Sequence, residues 1–281
     1  MKQHHSIFPP AASLACALIL MLAACTSDAL DELPPAGTDP DAHPLTITVS
    51  DGGMYATGQT RAQERGYSSG FSEGHCIGLY VVKDGTLEVK NLCLTLQGGK
   101  WTLPAGASQL LYSPDKSYHA YYPYRKDGDL NGKVLPGDED FFKSVVKLWF
   151  VNRDQSTYAQ YTASDLMTAE GIATPDANNT LNLSFPMTHQ MALVVIEMPK
   201  TIYKFTSTNY PDYTTDTEAE FTGAVQPLRV TNDTYRYLVN SQATSFPTIE
   251  GSYNGGNKEF SFTPSGLTAG KYKIYEVDNA P

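Results

Sequence analysis

Histidine and cysteine are scarce in this chain, six and four among 281 residues, and they are scattered. No pair falls at the spacing of a zinc site, and no phosphate loop or dinucleotide fingerprint occurs, so neither a metal nor a cofactor is implied. Basic residues are also in deficit: 20 Lys and Arg face 30 Asp and Glu, a net charge of −10. A surface of that sign suits neither nucleic acid nor anionic headgroups. Beyond the first 24 residues there is no further membrane segment, and no repeat of solenoid length is visible. A clustered acid/base pair is missing too. Gly70-Phe71-Ser72-Glu73-Gly74 matches G-x-S-x-G, but that motif needs a buried strand before it and a helix after it. Here a polar loop precedes and a strand follows. Ser72 is therefore a loop residue, Asp138-Glu139-Asp140 a solvated turn and His189 a packing residue, and the chain is not expected to be an enzyme.

What is present begins with export. Lys2 precedes an apolar run from Leu14 to Ala24, which ends in Leu22-Ala23-Ala24-Cys25. This is a secretory signal in the lipobox form, with residues 1–24 removed and Cys25 acylated. The alternative is an ordinary cleaved signal that leaves Cys25 as a spare thiol. Lipid at this position means stable attachment to a membrane. Residues 25–43 carry Pro34, Pro35 and Pro40 among Asp, Ala and Gly, and read as a disordered tether. Loss of Lys2 with the signal leaves 19 basic against 30 acidic residues.

Next comes Leu45-Thr46-Ile47-Thr48-Val49, apolar at every second position, the pattern of a strand with one buried face. A polar loop follows with Arg61 and Arg65 in its middle, and exposed polar loops are where proteolysis acts. A cut after either Arg would free the strand. Its sheet would then expose an apolar groove and unpaired backbone groups, an edge that templates another chain. Three branched side chains, each worth roughly 1.5–3 kcal/mol when fully buried, would need replacing. That logic indicates an assembling subunit.

From Cys76 onward, strands dominate, with turns at Asp84-Gly85, Gly98-Gly99, Ser113-Pro114-Asp115 and Pro136-Gly137. Many short strands so punctuated indicate a sandwich or barrel. Counting outward from an Asp84-Gly85 turn sets Cys76 opposite Cys93, close enough for a disulfide in an exported protein. The other reading is two small buried hydrophobes, and a bulge would destroy the pairing. Leu96 is set against Trp101 by Gly98-Gly99. A strand is expected over Lys143 to Asn152, and one short helix over Ser164 to Gly171, capped by Ser164. Met191 to Met198 is the candidate central strand. Pro199-Lys200 closes a first domain, 44–199, before a second, 200–281, whose last strand is Lys271 to Val277.

Taken in order, these pieces resemble the fimbrillin-like family of Bacteroidales, the type V pilus subunits and their accessory lipoproteins. The resemblance is carried by the lipobox, Thr60-Arg61-Ala62, Ile77-Gly78-Leu79-Tyr80-Val81, Gly99-Lys100-Trp101 and Ala120 to Tyr124. It continues through Asp165-Leu166-Met167-Thr168-Ala169, Leu183-Ser184-Phe185 with His189, and Leu267-Thr268-Ala269-Gly270-Lys271. The family implies an all-β fold of two tandem transthyretin-like β-sandwich domains. It also implies transport to the outer membrane as a lipoprotein, cleavage after Arg61 or Arg65, and replacement of the first strand by one from a neighbouring pilus subunit. The donor segment would be Lys271, Tyr272, Ile274, Tyr275 and Val277 with the residues between. Asp28, Asp31 and Glu32 resemble the acidic surface-export signal of Bacteroidetes lipoproteins, or are simply part of a solvated tether. The short second domain departs from a repeating stalk subunit and leaves a tip or anchor role open. The rival reading is a surface glycan-binding lipoprotein that keeps its anchor, with Tyr121, Tyr122 and Tyr124 as a stacking platform. In either case a host or bacterial surface ligand is an expected partner.

Overall fold

The computed structural model describes residues 43–56, 70–126, 130, 132–175, 181–206 and 209–278. The signal, Cys25, the tether to residue 42, Arg61 and Arg65 lie outside the described residues.

The chain opens with β1 (His43–Asp51) and β2 (Tyr55–Ala56), followed by a hairpin of β3 (Cys76–Lys83) and β4 (Thr86–Gln97). Asp84 and Gly85 both take positive φ, 49° and 71°, as a two-residue type I′ turn requires. β5 (Lys100–Thr102) folds back over Gly98-Gly99 and pairs Trp101 with Leu96, as expected. There follow β6 (Leu111–Tyr112), β7 (Lys116–Tyr122), α1 (Lys143–Leu148), α2 (Tyr158–Ser164), β8 (Met167–Glu170), β9 (Ile172–Pro175) and β10 (Leu181–His189). The remainder holds β11 (Ala192–Glu197), β12 (Thr201–Tyr203), β13 (Tyr213–Thr215), β14 (Ala219–Thr222), β15 (Leu228–Arg229), β16 (Thr234–Val239), β17 (Ile249–Tyr253), β18 (Lys258–Phe262) and β19 (Lys271–Glu276).

The strands form a nine-stranded sheet in the order β5-β4-β3-β7-β8-β10-β1-β6, with β9 also on β10. A second sheet runs β15-β16-β11-β19-β2, and a third β14-β17-β18. Period-2 alternation sends the two faces of β3, and likewise of β11, into different cores. In β3, Ile77, Leu79 and Val81 enter one core with Leu92, Leu94, Leu183 and Phe185. Tyr80 and Val82 enter a second core, which also holds Phe141, Phe142, Val145, Val146 and Trp149 around α1 together with Leu193 and Leu238 of the second sheet. The opposite face of that sheet packs Val194, Ile196 and Tyr237 against Ile249 and Tyr253 of the third. The fold is all-β and sandwich-like, with two short helices among the described residues where one was expected.

Four expectations are corrected. Lys143 to Asn152 is not a strand: α1 occupies Lys143–Leu148. Phe141, Phe142, Val145, Val146 and Trp149 are all buried, and their i, i+1, i+4, i+5, i+8 spacing is one helical face. The second helix lies earlier than expected, because Thr157 rather than Ser164 is its N-cap. Thr157 Oγ1 accepts from the Gln160 amide N–H, and the Gln160 side chain accepts from the Thr157 amide N–H, forming a capping box. Met167–Glu170 is then free to be β8 between β7 and β10. Third, β11 is central as expected, but it pairs with β16 and β19. The change of sheet therefore falls between His189 and Ala192, and not at Pro199. Fourth, irregularities between Leu79 and Val82 shift the β3–β4 register, so Cys76 faces Thr95 and Cys93 faces Gly78. Both thiols are free. Each lies within reach of the Thr95 hydroxyl, at 3.3 and 3.8 Å.

Candidate functional site: the docked first strand

β1 alternates as its sequence dictates: Leu45, Ile47 and Val49 are half-buried against the β3–β4–β10 core, while Thr46 and Thr48 are exposed. It runs parallel to β10 from Leu45↔Leu181 to Asp51↔Met187. Its other edge is paired only at His43 and Pro44, by β6. From Leu45 to Asp51, β10 is therefore its one ladder neighbour among the described residues. Asn182 bridges the exposed face, accepting from Thr46 Oγ1 at 3.3 Å and donating to Thr48 Oγ1 at 3.1 Å.

At the end of β1 the chain crosses between sheets. The Gly52 amide donates to the Met187 carbonyl at 2.9 Å, and Met54 sinks into the helix-lined core. The Tyr55 amide then donates to the Gly270 carbonyl at 3.2 Å, and β2 adds to β19 in parallel. Thus one segment, residues 43–56, is an edge component of two sheets.

The crossing is anchored by a buried charged cluster. His189, the last residue of β10, is 2% exposed. Its Nε2 donates to Asp51 Oδ1 at 2.8 Å and its Nδ1 to Asp165 Oδ1 at 2.9 Å. Both carboxylates are themselves nearly buried. Burial alone would push the imidazole down, but the two carboxylates outweigh it and hold it raised to about 10. The ring is therefore an imidazolium at neutral pH. Asp51 Oδ1 also accepts from the Gly53 amide at 2.8 Å, and Asp165 ends α2. Because the carboxylates sit on opposite ring nitrogens, the three groups do not converge on one ion, and no group of ligands suited to a metal occurs among the described residues. His189 is thus not a mere packing residue. Its signal in the sequence was a lone His closing an apolar alternation, with an Asp closing the first strand in step with it.

The other expected residues fall as follows. Lys271, Tyr272, Ile274 and Tyr275 lie in β19, and Val277 just follows it, its amide bonded to the Glu197 carbonyl at 2.9 Å. The strand is built into its own sheet: Tyr272 packs into the helix-lined core, while Tyr275 stacks on Phe262 at 4.9 Å. The aromatic platform is not a surface. Tyr121 is fully buried, its hydroxyl donating to Asn91 Oδ1 at 2.7 Å, and Tyr122 is buried too. A group of exposed aromatics lies on the β12–β13 ribbon, where Tyr203 stacks on Tyr213 at 4.8 Å and Phe205 lies beside it.

The description "Fimbrillin-like" belongs to a family model that matches residues 60–279. The chain belongs to the fimbrillin-like family. It is 30% identical over 256 residues to a Bacteroides ovatus protein bearing the provisional name fimbrium tip subunit Fim1C, covering 83% of this chain and 46% of that one. It also resembles the crystal structure of a fimbrial protein from Bacteroides ovatus, with a TM-score of 0.66, 28% identity, and 84% of this chain and 49% of the other covered. The chain spans about half the length of these two relatives.

Proposed function

We propose that the protein is a fimbrial subunit, exported as a lipoprotein through Cys25 to the outer membrane and cell surface. There, cleavage after Arg61 or Arg65 removes β1 and β2, and a strand from another subunit takes their place. The observation that carries this reading is the docking of β1: a strand with β10 as its one ladder neighbour from Leu45 to Asp51 among the described residues, and three apolar side chains packed on the core. Removing it would strip β10 of its parallel ladder and uncover the core beside Leu183 and Phe185, which a strand of the same alternation would cover again. A donor role for Lys271 to Val277 would require β19 to leave β11 even after β2 has gone. The acceptor role has no such cost, and fits a terminal subunit, the role given in the name of the Bacteroides ovatus relative.

The test is the mass and N-terminal sequence of the protein released from intact cells. A chain beginning at Ala62 or Gly66 is expected. A chain found only in membranes, acylated at Cys25 and intact through Arg61, would overturn strand replacement and favour an anchored surface lipoprotein.

A second reading, a glycan-binding surface protein, is favoured by the β12–β13 ribbon, which exposes Tyr203, Phe205, Tyr210 and Tyr213 together. Stacking on sugar rings is the use such a stripe fits. Serine at Phe205 and Tyr213 should abolish polysaccharide binding without altering assembly; unchanged binding would remove this reading.

A further inference from the structure

Apolar alternation alone does not fix where a replacement strand sits. Slipping it by one residue turns its apolar side chains to solvent and is excluded. Slipping it by two puts Leu, Ile and Val back on the same face, one site along, and little in the groove distinguishes them. The His189–Asp51 contact does. A two-residue slip would lay Val49 or Gly53 against Nε2 of His189, leaving a buried N–H donor without the carboxylate that now meets it at 2.8 Å.

We infer that His189 sets the register of the strand that replaces β1, by requiring a carboxylate two residues beyond the third apolar residue of the incoming strand. This rests on the strand-replacement reading above. The recognised partner is an extended segment of another subunit with the pattern apolar-x-apolar-x-apolar-x-Asp or Glu, as in Leu45-x-Ile47-x-Val49-x-Asp51. Charge complementarity supports this occupant. Once Asp51 leaves, Asp165 still holds Nδ1 of the ring, while Nε2 faces the open end of the groove beside β10. The parallel ladder from Leu181 to Met187 fixes how far the carboxylate must be from the apolar residues, so the pattern has one spacing.

The experiment uses the full chain cut by an Arg-specific protease. The freed segment is displaced by an excess of fluorescent peptide with the His43–Asp51 sequence, or by its Asp51→Ala counterpart, and loss of label is followed after dilution. Truncating one partner of a buried, hydrogen-bonded charge pair acts on the off-rate, so the unaltered peptide should stay bound at least roughly 30-fold longer. On a His189→Gln chain that ratio should collapse toward one. Equal half-lives on the unaltered chain would overturn the register role and leave strand replacement standing. If neither peptide enters the cut chain, strand replacement and this inference fall together. The peptide comparison on the unaltered chain stays decisive even if His189→Gln fails to fold.

Discussion

Asp51 and His189 stand 138 positions apart in the chain, yet the carboxylate of one lies 2.8 Å from the ring of the other, and both side chains are nearly buried. This contact ties the first strand to the sheet on which it is docked. The imidazole is raised from its ordinary 6.5 to about 10 by the two carboxylates that overcome its burial. A group whose folded pKa is raised contributes stability that is fully present below the unfolded pKa and is lost as pH rises through the folded one. The contribution of His189 should therefore be complete below about 6.5, decline above that and vanish by about pH 10. Urea midpoints from pH 6 to 10.5 for the natural chain and a His189→Gln variant check it: the gap between them should close over that window. A constant gap would mean the ring is neutral.

Gly78 faces Tyr121 across the β3–β7 pair. A Cβ added there would lie 2.0 Å from Tyr121 Cε1 and 2.6 Å from Asn91 Oδ1. The ring cannot swing away, since it is fully buried and its hydroxyl is held by Asn91. Gly78→Ala should cost about 3 kcal/mol, the upper range for overpacking, read as a lowered urea midpoint with an unchanged slope.

Gln155 is completely buried in the turn before α2 and acts on a strand as a short strand would. Its Nε2 donates to the Leu238 carbonyl at 2.9 Å, and its Oε1 accepts from the Leu238 amide at 2.8 Å. Gln155→Leu keeps the volume but leaves both backbone groups of Leu238 without these partners, at about 3 kcal/mol. Hydrogen exchange should show the Leu238 amide losing protection first.

Burial and the neighbouring Cys76 thiol push the Cys93 thiol up to about 11. Only the thiolate alkylates, so at pH 8 iodoacetamide should modify Cys93 roughly 200-fold more slowly than an unperturbed cysteine near 8.5. Peptide mapping of the native protein measures this directly.

Much of the fold was legible because alternation and turn chemistry are local. Leu45 to Val49, the Asp84-Gly85 hairpin and the Met191 to Met198 strand all follow from period and punctuation. What was misread needed either a competing period or a partner far along the chain. The valines at 145 and 146 suggest a strand, yet Phe141, Phe142 and Trp149 complete a helical face around them. Thr157-x-x-Gln160 is a local signal for α2 that Ser164 obscured. The Cys76–Cys93 count failed because two irregularities move every residue beyond them. His189 was identified only as a buried residue, because its meaning depends on Asp51 and Asp165, and no spacing in the sequence brings those three together.

Two of the three ladders that hold the first segment, β1 on β10 and β2 on β19, are parallel. A pull on the chain before His43, directed along β1, loads the seven β1–β10 residue pairs side by side. They must then yield together in shear. A peeling force applied at one end would instead open them in turn. A replacement strand in the same orientation would inherit this geometry. A fibre joined in this way would resist tension along its axis far better than bending at a joint.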